Sequence, residues 1–285
     1  MVILNEHVLK ESMMRSRLFL VLLGLAFAVV GCQRGEEAEP EAAGPLRVGM
    51  ELQFPPFEMS DEAGNPQGVS VDIANAFGEY LGREVEIQNI AWTGLIPAVR
   101  TGSIDVIISS MTITDEREEQ VDFSIPYIQA GLSLLVSSDS PVQSYGDLNS
   151  PDVTIAVKSG TTGAILATES YPQAEIHSFE DVAACVLEVV QGKADVFIYD
   201  PLTVYENYTN NPNTTRVILE SIPGTYSGWG FAFNEENDSL RNLANAFIRE
   251  YRADGGFDAL GDKWLADIKA VFEEQGVPFF FSIEE

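Results

Sequence analysis

Arg117 closes the run Met111-Thr112-Ile113-Thr114-Asp115-Glu116-Arg117. Thr114 is placed to cap a helix that begins with Asp115 and Glu116, whose charges suit the positive end of a helix. Arg117 then falls in the first turn, beside backbone N–H groups that have no partner within the helix. A guanidinium fork next to such donors is a good receptor for a carboxylate. The same residue can instead be an exposed arginine offsetting Glu116, Glu118 and Glu119, and spacing alone leaves both readings open. Other chemistries have little to work with. The chain holds two His and two Cys, too few for a His-based triad, a four-Cys zinc site or a disulfide framework.

The elements that must position Arg117 read as two similar halves. In the first, LRVGM (residues 46–50) is a short strand followed by the proline-rich loop ELQFPPFEM. Asp72 to Leu81 carries apolar residues at helical spacing, Leu95 to Arg100 continues as a helix, and Ile104 to Ile108 is a compact buried strand. The second half restarts near Val153 with VTIAV, the turn SGTTG, and a helix expected from Ser178, as N-cap, to Gln191. Cys185 inside that helix reads as a small core residue. Alternation of strand and helix predicts an α/β fold with a mainly parallel sheet. Residues 98–110 align without a gap on residues 188–200, placing Gly102 on Gly192 and Asp105 on Asp195 at an offset of 90. Each copy reads as a helix, a glycine cap, a tight turn and a buried strand. On that reading Ser110 and Asp200 stand at equivalent carboxyl ends of strands in two facing lobes. Ligands of open α/β sheets bind outside such ends, so the site is expected in a cleft between lobes.

The chain has 285 residues and a formal net charge of −28, from 16 Lys+Arg and 44 Asp+Glu. That charge disfavours nucleic acid, because it repels a polyanion instead of releasing its counterions. Apolar residues make up 45% of the chain, which is a globular composition. Leu18 to Val30 is an apolar run of 13 residues after Lys10, Arg15 and Arg17, shorter than the roughly 20 residues that a membrane span needs. Residues 1–31 therefore read as a secretory signal. Its junction Val29-Val30-Gly31-Cys32 resembles the lipobox of bacterial lipoproteins, which implies lipidation at Cys32. Residues 32–45, poor in anything to bury, read as a flexible acidic tether.

Several segments together resemble one family. GLIPAVRTGSIDVI followed by SSMTITDEREEQVDFSIPY is similar to the signature region of the polar amino-acid group, family 3, of bacterial extracellular solute-binding proteins. LRVGMELQFPPFEM, GVSVDIANAF, VKSGTTG and GGFDALGDKWL match the same family in order, from about residue 46 to residue 265. The resemblance implies a type II periplasmic-binding-protein fold, two α/β lobes joined by two hinge strands. Lobe 1 would comprise residues 46–130 and a return segment 227–265, lobe 2 residues 131–226, and residues 266–285 a C-terminal extension. It also implies a monomeric binding component of an ABC importer, handing an L-amino acid to a membrane permease, with no cofactor, metal or catalysis. Such a protein would sit at the periplasmic or extracytoplasmic face, anchored by lipid at Cys32.

Carried over by position, the resemblance makes Arg117 the clamp for the ligand α-carboxylate, assisted by backbone N–H groups of Thr112 and Thr161. Asp200, the Thr112 hydroxyl and the Ser110 carbonyl would receive the α-ammonium, with Met111 in the same shell. Glu51, Phe54, Trp92, Lys158 and Tyr199 match pocket positions for the side chain. Glu51 and the face of Trp92 suggest arginine, lysine, histidine or glutamine, with a slight lean to a basic ligand. Lys158 would repel a cation unless it pairs with Glu51 and leaves room for a neutral amide. Gly68-Val69-Ser70-Val71-Asp72 replaces the family's usual Gly-Phe-Asp-Val-Asp, a change expected to touch packing and not the ligand shell. Cyclohexadienyl dehydratases resemble the same pattern and would need a general acid, for which Glu51 and Asp200 are candidates. An amino-acid sensor subunit is the third reading. Closure is expected to turn on residues 129–132 and 225–229, with Gly131 and Gly228 absorbing the change. The three phenylalanines of the final VPFFFSIEE could dock on a lobe or meet a partner.

Overall fold

The computed structural model describes residues 44–281 and residue 283. The expected signal segment, Cys32 and nearly all of the tether lie outside the described residues. Among those residues no helix is long and apolar enough to cross a membrane.

The first half runs β1 (Leu46–Met50), β2 (Gln53–Phe54), β3 (Glu58–Ser60), β4 (Pro66–Gln67), α1 (Val69–Leu81), β5 (Val85–Asn89), α2 (Leu95–Arg100), β6 (Val106–Ile107), α3 (Asp115–Glu118) and β7 (Asp122–Phe123). After β8 (Ile128–Ala130) the second half runs β9 (Ser133–Ser137), β10 (Thr154–Lys158), α4 (Thr162–Ser170), β11 (Glu175–Phe179), α5 (Val182–Val190), β12 (Val196–Tyr199), α6 (Pro201–Asn210) and β13 (Thr215–Ile218). The chain returns through β14 (Ser227–Trp229) and β15 (Ala232–Phe233) and ends in α7 (Asp238–Ala253), α8 (Gly256–Trp264) and α9 (Ala266–Gln275).

Two five-stranded sheets result, ordered β5-β1-β6-β15-β7 and β11-β10-β12-β9-β13. In each, the first three strands pair in parallel, the fourth (β15 or β9) runs the opposite way, and the fifth (β7 or β13) pairs antiparallel with the fourth and so runs with the first three. Each sheet is therefore mixed, with four strands in one direction and one reversed, because β9 and β15 enter directly after the crossings. Leu95, Val99, Ile107 and Val121 fill a core in the first lobe, and Leu134, Val136, Ile155 and Val196 one in the second. A further apolar cluster runs from Phe77 and Phe231 in the first lobe to Leu135 and Phe197 in the second.

The 90-residue echo is present bond for bond. Gly102 N–H donates to the Val99 carbonyl and Ser103 N–H to the Ala98 carbonyl; Gly192 and Lys193 do the same to Val189 and Glu188. Both glycines adopt positive φ, 71° and 66°. Two residues on, Asp105 and Arg47 exchange N–H···O bonds that fasten β6 to the start of β1, and Asp195 and Thr154 repeat the exchange between β12 and β10. Each lobe is thus locked by the same Gly-x-x-Asp turn, which fixes where the following strand delivers its end.

One helix starts later than its sequence suggests. Ser178 lies in β11, paired along β10, and its hydroxyl meets that of Ser159 at 3.0 Å. The cap is Asp181, whose Oδ1 accepts from Ala184 N–H at 2.7 Å, and α5 begins at Val182. Five residues of strand pairing outcompete the earlier capping signal.

The two crossings, β8 and β14, pair antiparallel with Gln129 opposite Gly228. Gly131 and Gly228 are not in the left-handed region; they are small because neighbours are close. A Cβ on Gly131 would lie 2.4 Å from Ser221 Oγ, and one on Gly228 2.5 Å from Pro126 Cβ. Close packing therefore requires glycine at both positions.

Because a Cβ at either turn glycine meets open space or only a distant hydroxyl, Gly102→Ala and Gly192→Ala should each cost about 1–2 kcal/mol from backbone strain alone. In urea unfolding the double variant should lose the sum of the two within about 0.5 kcal/mol, since the sites share no partner. Loss at only one site would break the equivalence of the turns.

Candidate ligand-binding site

The strand ends meet as the repeat requires, and a cavity lies between them. Its wall includes Glu51, Phe54, Trp92, Ser110, Thr112 and Arg117 from the first lobe and Thr161, Tyr199 and Asp200 from the second. Nine of the eleven residues expected there line it. The other two are Met111 and Lys158. Met111 is buried in the first lobe's core with Val99 and Val121, and offers only its carbonyl to Gly230 N–H at 3.0 Å. Its side chain is apolar and packs in that core, so it is no part of the wall. Lys158 stands behind Glu51.

Arg117 is 5% exposed. Thr114 caps the short helix α3, its Oγ1 accepting from Arg117 N–H at 3.3 Å, as the spacing required. The guanidinium donates to the Thr112 carbonyl at 2.7 Å and to the Gly160 carbonyl at 3.1 Å, with its carbon 5.2 Å from the centre of the Trp92 ring. Burial lowers its pKa to about 10, which leaves it charged at neutral pH.

Asp200 opposes it. As N-cap of α6 its Oδ1 accepts from Leu202 N–H and Thr203 N–H, each at 3.0 Å. The second oxygen, Oδ2, is buried with no hydrogen-bond partner. Burial pushes the carboxyl up to about 6. A carboxylate with one saturated and one empty oxygen is what a cation receptor requires.

Glu51 is joined to Lys158 across the cleft by a short hydrogen bond from Nζ to Oε2. Lys158 is 2% exposed. The other Glu51 oxygen accepts weakly from Trp92 N–H at 3.4 Å. Trp92 Nε1–H donates to the Gly160 carbonyl at 2.9 Å, so one carbonyl of the second lobe takes bonds from both Trp92 and Arg117. The lobes are in contact through these groups. Phe54 packs edge-on to Tyr199 at 5.7 Å, completing an apolar wall between lobes. Thr161 caps α4, its hydroxyl donating to the Lys158 carbonyl at 2.8 Å and its N–H making a longer bond of 3.3 Å to the same oxygen.

The main residue that sequence reasoning missed is Glu58. It lines the cavity at 1% exposure and accepts from three hydroxyls, Ser70 at 2.7 Å, Ser110 at 2.9 Å and Ser109 at 3.1 Å. Burial drives its pKa up to about 8, the serine bonds opposing the shift. The shift favours the protonated carboxyl at neutral pH. Ser110, whose φ is 51°, is held in that strained turn by this bond. Ser70 belongs to the departure from the family's usual motif, which therefore reaches the layer directly behind the cavity. Glu58 lies four residues after Phe54, but its serines come from 12, 51 and 52 residues away, and nothing local announces them. Thr225, Trp229 and Leu132, also on the wall, come from the crossings.

Two lobes enclosing a cavity with opposed buried charges define a solute-binding protein of the type II periplasmic fold. Residues 46–267 match the model for bacterial extracellular solute-binding proteins, family 3, and the chain belongs to that family. It is 29% identical over 247 residues to a probable histidine-binding protein of Neisseria gonorrhoeae, covering 85% of this chain and 91% of that one. Among solved structures, a putative ABC-transporter binding component of Wolinella succinogenes complexed with lysine shares 36% identity at a TM-score of 0.73, over 80% of this chain and 98% of the other. An ancestral amino-acid-binding protein, a precursor of cyclohexadienyl dehydratase, shares 38% identity at a TM-score of 0.70, covering 78% and 95%. These relatives are themselves described as binding proteins.

Glu58 yields a signed prediction. A carboxyl raised from 4.5 to about 8 contributes stability that is complete below the first value and is lost as pH rises through the second. The stability of Glu58→Gln relative to the parent should therefore climb between pH 5 and 8 and level off above, read from urea midpoints. A difference that stays constant across that range would contradict the neutral acid.

Proposed function

We propose that this protein is the substrate-binding component of an ABC amino-acid importer and captures a basic or polar L-amino acid by closure of its lobes. The observation that carries the reading is that Asp200, whose buried Oδ2 has no partner, and Arg117 line the same cavity. An α-amino acid has one ammonium and one carboxylate at fixed separation, and both charges need partners when water is removed. Arg117 takes the carboxylate, with backbone donors at Thr112 and at the start of α4, where Thr161 and Thr162 line the cavity. Asp200 takes the ammonium, with the Thr112 hydroxyl and the Ser110 carbonyl completing its shell.

The ligand side chain runs between Phe54 and Trp92 toward Glu51. The pairing of Glu51 with Lys158 cancels the charge at that end, so amides qualify beside the guanidinium, ammonium and imidazole groups that the Trp92 face favours. That range agrees with the histidine-binding and lysine-bound relatives. Closure brings the Gly160 carbonyl to Trp92 and Arg117 and Lys158 to Glu51, so ligand and protein contacts select the same state. The mature protein works at the extracytoplasmic face, tethered by lipid at Cys32, and delivers its ligand as a monomer to a membrane permease.

Calorimetry against the common amino acids is the test. Arginine, lysine, histidine or glutamine should bind, and Arg117→Ala and Asp200→Ala should each weaken that binding by at least about a hundredfold, since breaking a buried pair costs roughly 3–5 kcal/mol. Circular dichroism should remain that of the parent. Parent-like affinity in either variant, or binding of small apolar amino acids alone, would refute the assignment. Turnover of arogenate or prephenate would mark a dehydratase instead.

A further inference from the structure

The family match ends at residue 267, and the chain beyond it docks on the crossings between lobes. α9 ends at Gly276, and the following segment turns back so that Phe280 is 1% exposed. The Phe280 carbonyl accepts from Gln129 N–H at 2.9 Å. Gln129 is the middle residue of β8 and sits opposite Gly228 in β14, so the tail adds a third backbone partner to the two-stranded connection. Its ring lies 5.2 Å from Phe57, edge to face, 6.2 Å from Trp229, and 5.4 Å from Phe272 of α9.

Those neighbours lead directly to the cavity. Phe57 stacks on Phe54 at 5.1 Å and meets Trp229 edge-on at 5.0 Å, and both Phe54 and Trp229 line the wall. Phe280 is thus one ring removed from the ligand space. The tail also reaches the second lobe. Val277 and Pro278 share a groove with Leu219 and Tyr226, and Ile268 and Val271 share another with Leu202 and Tyr205.

We propose that the C-terminal segment 266–281 is a brace across the hinge, and that Phe280 is a positioning residue for ligand binding, acting through Trp229 and Phe57. The inference rests on the cavity being the amino-acid site proposed above. Aromatic rings in a chain of edge and face contacts fix one another's orientation, and a gap behind the wall releases it. The backbone bond to Gln129 holds β8 in the register that places Leu132 and Ala130 on the wall.

The experiment compares Phe280→Ala, Phe280→Leu and Phe281→Ala in the full chain. Phe281 stacks on Phe257, meets Phe279 edge-on and, among the described residues, touches no ring of the wall, so it controls for loss of apolar packing in the tail. Two quantities are measured at a temperature where every variant is folded: calorimetric affinity for L-arginine and L-glutamine, and amide hydrogen exchange across residues 128–130 and 227–229. Phe280→Ala should weaken whichever probe binds by at least tenfold and speed exchange in both crossings. Phe280→Leu, which refills most of the space, should recover affinity to within threefold, and Phe281→Ala should match the parent in both readouts. Parent-like affinity in Phe280→Ala, or equal losses in Phe280→Ala and Phe281→Ala, would overturn the brace. If neither probe binds the parent, L-lysine and L-histidine replace them, and the ligand reading fails separately only if none of the four binds. The exchange data then decide: faster crossings in Phe280→Ala alone uphold the brace, and unchanged crossings overturn it. Should Phe280→Ala not fold, Phe280→Leu against Phe281→Ala carries the same comparison, with faster crossings expected only in the former.

Discussion

A carboxylate oxygen buried without a partner is costly, and the free energy it lacks is available only from a cation placed beside it. Asp200 Oδ2 is such an atom, and the rest of the structure is arranged around it. α6 saturates Oδ1 and leaves Oδ2 without a partner on a residue that lines the cavity. Arg117, equally buried, supplies the opposite charge from the other lobe. Neither residue is paired with the other, which leaves a gap whose two ends demand opposite charges. A zwitterion satisfies both; a simple cation or anion satisfies one and leaves the other exposed to the cost of desolvation.

Around this pair Glu51, Lys158 and Glu58 already have partners. Glu51 and Lys158 neutralise each other, the Gly160 carbonyl collects Trp92 and Arg117, and Glu58 keeps its proton and binds three serines. A protonated acid behind the wall adds hydrogen-bonding capacity without a further negative charge near Asp200. The Glu51–Lys158 and Gly160 contacts cross the cleft and join the lobes. On the proposed reading, ligand recognition and lobe approach are linked through shared residues, Arg117 above all.

Much of this was legible in the chain because the repeat is local. The helix, glycine turn and strand of residues 98–110 recur at 188–200, and the aspartates of both copies form the same reciprocal bonds. Thr114 and Arg117 were legible for the same reason, since a cap and its first turn lie within four residues. The Ser178 signal misled because β11 pairs along β10, a partnership that no local pattern reports. Glu58 escaped because its three partners are scattered over two other segments. Phe280 escaped because an apolar tail reads alike whether it packs on a lobe or on another molecule. Met111 was assigned by neighbourhood, and its apolar side chain packs in the first lobe's core instead.

The central claim is that Asp200 is the receptor for the ligand ammonium, and its raised pKa of about 6 makes that claim measurable. Only the ionised carboxyl can pair with the ammonium, so protonation of the free protein must compete with binding. Affinity for L-glutamine or L-arginine, neither of which titrates between pH 4.5 and 7, is the measurement. It should be level from pH 7 down to about 6 and then fall by about tenfold per pH unit as Asp200 takes up its proton. An affinity that stays flat from pH 7 to 4.5 would contradict the account.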